Sequence, residues 1–410
     1  MKYTIPLSLG LLALPFLLAG QSISTSPYSI YGIGLLQDRS TSFTRSIGGT
    51  GIAVRDEHNL NPINPASYGA ISSPISHLYE AGFYVDANRF ENTSLSESTT
   101  TGGMSNLNYW FKMKPWWASS LGIAPFSTVS YSISANRQLG ISTADYHFTG
   151  SGNVNQLFWG NSFSPIKNLS IGFHASFIFG TITKKETMEL TNQSSVLTLE
   201  NKIATRKFDR DIGLQYKINI AEKKSLIIGA VANTGMSLTG KSKSTLLNEA
   251  YDTLTTSATR SKEYTLPGYV GAGLSFQTPR STIAADLRFE NWQDANYADN
   301  TITFRDSWKV SAGYAYHGNR QASNYWGLIG LRAGFHAQPY PIAIRGEKFP
   351  SWGLSSGISV PLFDGRSSLN LTYLFEQFGT TQSGLALQTS QKVMVDLVIR
   401  DIWGARRKFD

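Results

Sequence analysis

Segments in which apolar residues alternate with small or polar ones recur along the 410-residue chain, and they constrain its fold more than any other feature. In "LSIGFHASFIFGTIT", residues 169–183, the odd positions from Ile171 to Phe179 carry Ile, Phe, Ala, Phe and Phe. The even positions carry Ser, Gly, His, Ser, Ile and Gly. The alternation recurs at 281–292, 326–336, 368–377 and 393–400. A period of two is typical of β-strands with one apolar face.

The lengths of these segments and of their links predict a transmembrane barrel rather than a soluble β-sandwich. Many segments reach the nine or ten residues that a tilted strand needs to cross a bilayer. The links after even-numbered strands are short, such as "KPW" and "AEKK", whereas those after odd-numbered strands are longer, such as "KKETMELTNQSS". We therefore predict an all-β, ~14-stranded antiparallel transmembrane β-barrel over residues 76–403, with periplasmic turns. The predicted strands are 76–89, 103–113, 117–134, 146–162, 168–182, 196–218, 224–238, 258–277, 281–292, 300–316, 325–338, 350–361, 366–378 and 389–403.

Composition excludes several classes of function. Only 16% of residues are charged, against roughly 25% in soluble domains. Without cysteine there are no disulfides, thiolate metal sites or thiol nucleophiles. The six histidines show no metal-binding spacing, and no G-x-S-x-G motif occurs, so we expect no enzyme, metal or cofactor. The net charge of +8 is spread without a dense stripe, which argues against nucleic acid and fits contact with membrane lipid.

The two ends of the chain differ from the barrel region. Residues 1–22 combine a basic start, an apolar run and small residues, which predicts a secretory signal peptide and export to the outer membrane. Residues 23–75 are rich in Gly, Ser, Pro and Asn and do not alternate. Because a fourteen-strand barrel has a wide lumen, we predict that this segment is a plug, or hatch, inside it. Residues 404–410 form a predicted basic periplasmic tail.

Several motifs, in this order, resemble the FadL-like outer-membrane transporters of long-chain fatty acids and aromatic hydrocarbons. The glycine-rich segment ends in Asn64-Pro65-Ala66, and "LGIAPFSTVSYS" places Gly122, Pro125 and Phe126 in the third strand. "LPGYVGAGLSF", "STIAADLRFENW", "DSWKVSAGYAY" and "LRAGFHAQPYPI" also fit. The chain ends in "WGARRKFD" instead of a terminal aromatic residue, and it also resembles PorV-type members, which serve protein secretion.

The resemblance implies passive uptake of a hydrophobic small molecule, fatty-acid-like or aromatic, through a plugged lumen with a lateral exit. Proline has no N–H for the ladder, so Pro125 predicts a kink in its strand; with Gly122 and Phe126 it is the candidate lateral gate, and a simple bulge is the alternative. Asn64, Pro65 and Ala66 are expected to fix the hatch, or only to form a turn. The alternative function is a non-transporting accessory subunit, with protein partners in an outer-membrane secretion or biogenesis complex.

Charged residues on the polar faces of the strands are predicted to point into the lumen. Both signs occur, so pairing with one another or with the hatch is expected, and binding of a substrate carboxylate by Arg288 or Arg332 is the alternative. These residues are Glu80, Asp86, Asp209, Asp211, Asp286, Arg288, Glu290, Lys309, Arg332, Glu376, Asp396 and Arg400.

Overall fold

The computed structural model describes residues 26–402, apart from 72–73, 94–95, 140–141, 191–192, 298–301, 320–321, 323, 345 and 363–365. The predicted signal peptide and basic tail lie outside these residues. Among the described residues, no helix is long and apolar enough to span a membrane.

The described residues form one closed antiparallel barrel of fourteen strands, which confirms the predicted fold. Two of the strands, β7 and β8, are each interrupted once, at Thr234-Gly235 and Pro267-Gly268. The strands are β1 His77–Glu91, β2 Ser96–Lys114, β3 Trp117–Leu139, β4 Ser142–Ile166, β5 Leu169–Leu190, β6 Gln193–Ala221, β7 Lys224–Asn233 with Met236–Leu247, β8 Arg260–Leu266 with Tyr269–Gln277, β9 Ser281–Glu290, β10 Ser307–Tyr316, β11 Gly330–Pro339, β12 Pro350–Leu362, β13 Ser367–Gly379 and β14 Leu387–Asp401.

The last strand closes the barrel on the first. β14 pairs with β1 from His77–Asp401 to Glu91–Leu387. Closure satisfies backbone groups that an open edge would leave without partners in hydrocarbon, at several kcal/mol each. The start of β1 and the end of β14 therefore lie at one end of the barrel, here named the turn end; the opposite end is named the extended end.

The predicted sorting of links by length is wrong for the first half of the barrel. The segment predicted as a long loop after the fifth strand, residues 184–195, is mostly strand, because β5 continues to Leu190 and β6 begins at Gln193. Residues 88–100 likewise belong mainly to β1 and β2. Polar side chains are stable on strands that extend into water, so a polar composition did not mark a loop here. The strands around β5 and β6 consequently rise well beyond the length a membrane requires.

The extended-end links after β7, β9 and β11 contain short elements. Residues Thr253–Thr256 pair with the end of β7, and Ile302–Phe304 pair with Ile342–Ile344 in a separate ribbon. Short 3₁₀ helices occur at Trp292–Asp294 after β9 and at Gln382–Gly384 after β13, and a further one, Tyr325–Leu328, lies in the turn-end link after β10.

The side chains alternate between the two faces of the wall as the sequence predicts. On β5, Ile171 and Phe173 are 45% and 37% exposed on the outside, whereas His174 is fully buried inside. Exposed Leu, Ile, Val and aromatic side chains continue around the exterior, for example Leu274 and Phe335. A broad apolar exterior of this kind is what a membrane-spanning barrel presents to lipid.

Residues 26–71 and 74–75, here named the N-terminal segment, pack against the inward faces of the strands. The segment contains the 3₁₀ helices Pro27–Ile30 and Pro65–Ala70, the strand pair Leu35–Leu36 and one short helix, α1, at Ser42–Ser46. Thr41 caps α1 by accepting a hydrogen bond from the backbone N–H of Thr44.

Two of the three buried apolar clusters lie at opposite ends of the lumen. The turn-end cluster packs Leu60 and Tyr68 of the N-terminal segment against Leu78 and Trp110 of the wall. The extended-end cluster joins residues of the N-terminal segment, the strands and the extended-end links. Its members include Tyr28, Ile33, Tyr131, Ile178, Leu266, Trp292, Tyr297, Ile342 and Phe349.

Candidate functional site: the lumen and the gap in its wall

The barrel wall opens between β2 and β3. The two strands pair from Lys114–Trp117 to Leu107–Ile123, and within the described residues the pairing ends there. Both strands continue, β2 to Ser96 alongside β1, and β3 to Leu139 alongside β4. Residues 96–106 and 124–139 thus border what we name the side gap.

The N-terminal segment covers the free edge of β3 at the side gap. Leu35 and Leu36 pair with Thr128 and Ser127. The backbone N–H of Gln37 donates to the carbonyl of Phe126 at 2.9 Å. This segment therefore supplies hydrogen-bond partners that β2 would supply in an unbroken wall.

Of the three residues predicted as a strand kink, Pro125 and Phe126 lie at the start of the side gap. Pro125 follows the last β2–β3 pairs, and the β3–β4 register shifts between Pro125 and Ser127. The side chain of Phe126 packs against the extended-end cluster. Gly122 lies lower, where an added Cβ would come within 2.4 Å of Asn108 Oδ1 and of the Phe158 ring. The irregularity therefore coincides with the end of pairing.

A cavity of about 420 Å³ lies between the N-terminal segment and the extended-end cluster. Its apolar lining includes Leu35, Phe126, Trp292, Tyr340 and Phe378. A smaller cavity lined by Ser105 of β2 and Pro125 of β3 shares Gln37 and Asp38 with it. The two cavities place the side gap next to the lumen space.

Asp38 occupies the charged side of the cavity. Its carboxylate accepts hydrogen bonds from Arg288 at 2.7 Å and from Lys309 at 2.8 Å. Burial raises the pKa of Asp38, but Arg288, Lys309 and Arg45 outweigh burial and hold that pKa well below its usual value. Asp38 is therefore ionised at neutral pH and bridges two cations of the barrel wall.

A buried chain of polar groups joins the N-terminal segment to β5 and β6. The hydroxyl of Tyr68 contacts His174 Nε2 at 2.6 Å, and His174 Nδ1 contacts Asp211 at 2.7 Å. Arg39 completes the chain with an ion pair to Asp211 and a hydrogen bond to Ser176. Tyr68, His174 and Asp211 are almost fully buried, and their hydrogen bonds attach the N-terminal segment to the wall.

The Asn64-Pro65-Ala66 motif lies against the inner wall. Asn64 Nδ2 donates to the carbonyls of Ile52, Leu214 and Ala230 at 2.6, 3.2 and 3.3 Å. Its Oδ1 accepts from the backbone N–H of Ala66 and caps the 3₁₀ helix Pro65–Ala70. The motif thus forms both a turn and a contact with β6 and β7.

Inward-facing glycines give the N-terminal segment room to approach the wall closely. A Cβ at Gly172 would lie 2.4 Å from Ala66 N, and one at Gly213 would lie 2.0 Å from Asn64 Oδ1. Related contacts occur on other strands, at Gly160, Gly229, Gly273, Gly313, Gly334 and Gly357. The sequence patterns did not predict this arc of glycines; their positions on polar strand faces were the available signal.

Asp286 and Glu290 both lie on β9, but Asp286 contacts the N-terminal segment whereas Glu290 contacts Arg288 and Trp292. Asp286 accepts hydrogen bonds from the backbone N–H groups of Gly51 and Ile52 at 2.6 and 2.9 Å. Glu290 pairs with Arg288 at 2.6 Å and accepts from Trp292 Nε1 at 2.7 Å.

The remaining predicted lumen charges contact the N-terminal segment or neighbouring side chains of the wall. Asp396 accepts from the backbone N–H of Ser42 at 2.6 Å, and Arg400 donates to the carbonyl of His58 at 3.3 Å. Arg332 donates to Asn370 at 2.9 Å and lies over the ring of Phe43. Glu376 lies 3.3 Å from His336. Within the described residues, no group of His, Asp or Glu is arranged to hold a metal ion.

The fold is shared with outer-membrane channels of the FadL type. The Ralstonia pickettii toluene transporter TbuX aligns with a TM-score of 0.58 at 13% identity, over 87% of this chain and 97% of that one. A Pseudomonas aeruginosa FadL homologue gives 0.58 at 11%, over 89% and 99%. The P. putida toluene transporter TodX gives 0.57 at 15%, over 88% and 98%. At these identities the likeness defines the fold, and it confirms the FadL-like resemblance at that level.

The class is therefore a FadL-like barrel with the fold of outer-membrane transport channels. The sequence model of the BamG family matches residues 3–410, so the chain belongs to the BamG family. A search of curated proteins finds no match.

Proposed function

We propose that this chain is an outer-membrane barrel for passive uptake of hydrophobic small molecules, which leave the lumen cavity sideways into the membrane. The observation that carries the proposal is the end of β2–β3 pairing at Leu107–Ile123, next to the cavity. A hydrophobic solute gains no free energy from entering water when lipid lies beside it. Structural neighbours named as toluene transporters support this substrate class.

The N-terminal segment controls the exit in this proposal. Leu36 is 38% exposed in the side gap, and Leu35 lines the cavity, so movement of this pair away from β3 would widen the path. The role of the segment as a hatch, the gate role of Pro125 and the export signal in residues 1–22 belong to the same proposal.

A disulfide that links the N-terminal segment to the free edge of β3 tests the proposed uptake. The chain has no cysteine, and Leu35 and Thr128 are cross-strand partners at a separation that a disulfide can bridge. We expect oxidised Leu35→Cys/Thr128→Cys barrels in vesicles to take up toluene and a fluorescent fatty acid severalfold more slowly, with recovery after reduction. The matched control is Ala87→Cys/Thr100→Cys, a facing pair on β1 and β2. Uptake that is absent from the wild type, or unchanged by the Leu35–Thr128 disulfide, contradicts the proposal.

A second candidate is a non-transporting accessory subunit of an outer-membrane secretion or biogenesis complex. Two observations favour it. The matched family is BamG rather than a hydrocarbon transporter family. In addition, the N-terminal segment is fixed by the buried Tyr68–His174–Asp211 chain, and packed aromatic residues fill the extended end of the lumen.

Gentle solubilisation separates the two candidates. The affinity-tagged chain is purified from its own membranes in mild detergent, and its mass is measured by native mass spectrometry. A partner present in fixed ratio, together with no uptake by the isolated barrel, supports the accessory role. A monomeric barrel that transports the probes contradicts it.

A further inference from the structure

A basic patch lies on the outer surface of β5, β6 and β7, towards the extended end. Strand pairing puts its members on the outward face, because Arg206 is paired with Phe179 and Arg210 with Ala175, on the face opposite His174. Lys202 faces Thr183 on one side and Lys243 on the other. The patch consists of Lys185, Lys202, Arg206, Arg210, Lys241 and Lys243.

The patch begins where the apolar band ends. Along β6 the outward residues Tyr216, Leu214 and Ile212 are apolar and 41–60% exposed, and Phe208 is 75% exposed. Arg206 lies one outward position beyond Phe208, and Lys202 lies two further on. Outward positions are about 6–7 Å apart along a strand, so these cations lie at the depth of lipid headgroups. Arg210 can reach the same level by extending its side chain.

The charges of the patch are poorly balanced by acids. On this face Glu200 pairs with Lys185 at 3.0 Å and with Lys202 at 2.9 Å. Glu263 of β8 accepts a hydrogen bond from Ser237. Among the described residues, Arg206, Arg210, Lys241 and Lys243 have no ion pair. Lys202 and Lys243 face each other directly, and like charges that face each other on paired strands repel.

We propose that the basic patch binds lipid headgroups that carry phosphate and a net negative charge, in the leaflet at the extended end. Phosphate oxygens accept charge-assisted hydrogen bonds from guanidinium and ammonium groups, and the exposed ring of Phe208 packs against the adjoining acyl chains. The patch adjoins the lipid-facing surface. Lipid headgroups therefore lie next to the patch as soon as the barrel is in the membrane. This site is independent of uptake through the lumen.

A fourfold variant tests the site against a matched control. Arg206, Arg210, Lys241 and Lys243 are changed to Gln; in the control, four exposed lysines near the turn end, Lys114, Lys167, Lys223 and Lys224, are changed to Gln. Both variants lose four charges. The measurements are lipid phosphorus retained per purified barrel, and thermal stabilisation by a phosphorylated glycolipid, phosphatidylglycerol, phosphatidylcholine or inorganic phosphate in detergent.

We expect the patch variant to retain roughly tenfold less lipid than the control, because each basic side chain near an anionic surface adds measurably to binding. Stabilisation by the glycolipid alone would show that the bound headgroup is a phosphorylated sugar. Stabilisation by phosphatidylglycerol would show that it is the headgroup of a phosphoglyceride. Equal retention by both variants, or equal stabilisation by phosphatidylcholine, overturns the proposal. Stabilisation by inorganic phosphate alone also overturns it.

Discussion

Asp38 of the N-terminal segment and Arg288 of β9 are 250 residues apart in the chain, yet their side chains form an ion pair of 2.7 Å in the lumen. Lys309 of β10 binds the second oxygen of the same carboxylate. One acidic side chain therefore attaches the N-terminal segment, next to the pair that covers the side gap, to two adjacent strands.

Asp38→Asn is expected to loosen this attachment, because it leaves two partly buried cations facing a neutral amide. Removing one member of a fully buried ion pair costs about 3–5 kcal/mol. The Asp38 and Arg288 side chains are 29% and 21% exposed, and screening reduces the expected cost to about 1–2 kcal/mol. Thermal unfolding in detergent and proteolysis of the N-terminal segment measure the effect. Glu249→Gln, at an exposed acid, is the control; equal behaviour of the two variants would contradict the prediction.

The contribution of Asp38 should depend on pH in one direction. Its pKa is lower in the folded protein than in the unfolded chain, where it is about 3.9. The stabilisation is therefore fully present above about pH 5 and is lost as the pH falls through the folded pKa. The stability difference between wild type and Asp38→Asn should stay constant from about pH 5 to pH 8 and shrink below about pH 4. A difference that grows on acidification would exclude this assignment.

Asn64→Asp should destabilise the N-terminal segment although the two side chains have almost the same shape. The substitution replaces an amide that donates to three carbonyls with an oxygen that repels them. A buried group left without partners costs about 1–3 kcal/mol, and more when it is charged. Hydrogen exchange of residues 50–70 and the melting temperature report the change. Asn219→Asp, at an exposed position of β6, should have little effect; a comparable loss there would show that the effect is unrelated to the motif.

Gly213→Ala tests the close approach of the segment to β6. The added methyl would lie 2.0 Å from Asn64 Oδ1, so Asn64 must move and release its carbonyl contacts. Overpacking of this kind costs about 1–3 kcal/mol. Gly103→Ala is the control, since its methyl would meet Tyr84 at an ordinary 3.5 Å. We expect faster proteolysis of the N-terminal segment only in Gly213→Ala, with an intact barrel by circular dichroism.

Much of the wall could be read from the sequence, since a period of two assigns each residue to one face. The alternation assigns His174 and Phe173 to opposite faces of β5, and the structure has His174 inside and Phe173 outside. The ends of β1, β2, β5 and β6 at the extended end could not be predicted in the same way, because polar strands that extend beyond a membrane have the composition of loops. The breaks in β7 and β8 coincide with Gly235 and with Pro267-Gly268, which local sequence marks only as irregular.

The candidate site was only partly predictable. Pro125 signalled an irregular strand by its missing N–H, but the loss of pairing with β2 depends on which strand lies beside it. The partners of Asp286 and Asp396 proved to be backbone N–H groups of the N-terminal segment, which carry no sequence signature. Tyr68, Arg39 and Asp38 were not singled out, since residues of an irregular segment show no periodicity that would orient them.

The sequence by itself determined a one-sided set of long strands, and hydrocarbon requires that such strands close into a ring. Only the tertiary structure decided how the N-terminal segment lies inside that ring and where the wall of the ring opens. The physical reason is that strand faces follow from local geometry, whereas the contacts of Asp38 with Arg288 and of Asn64 with Gly213 exist only after distant segments meet.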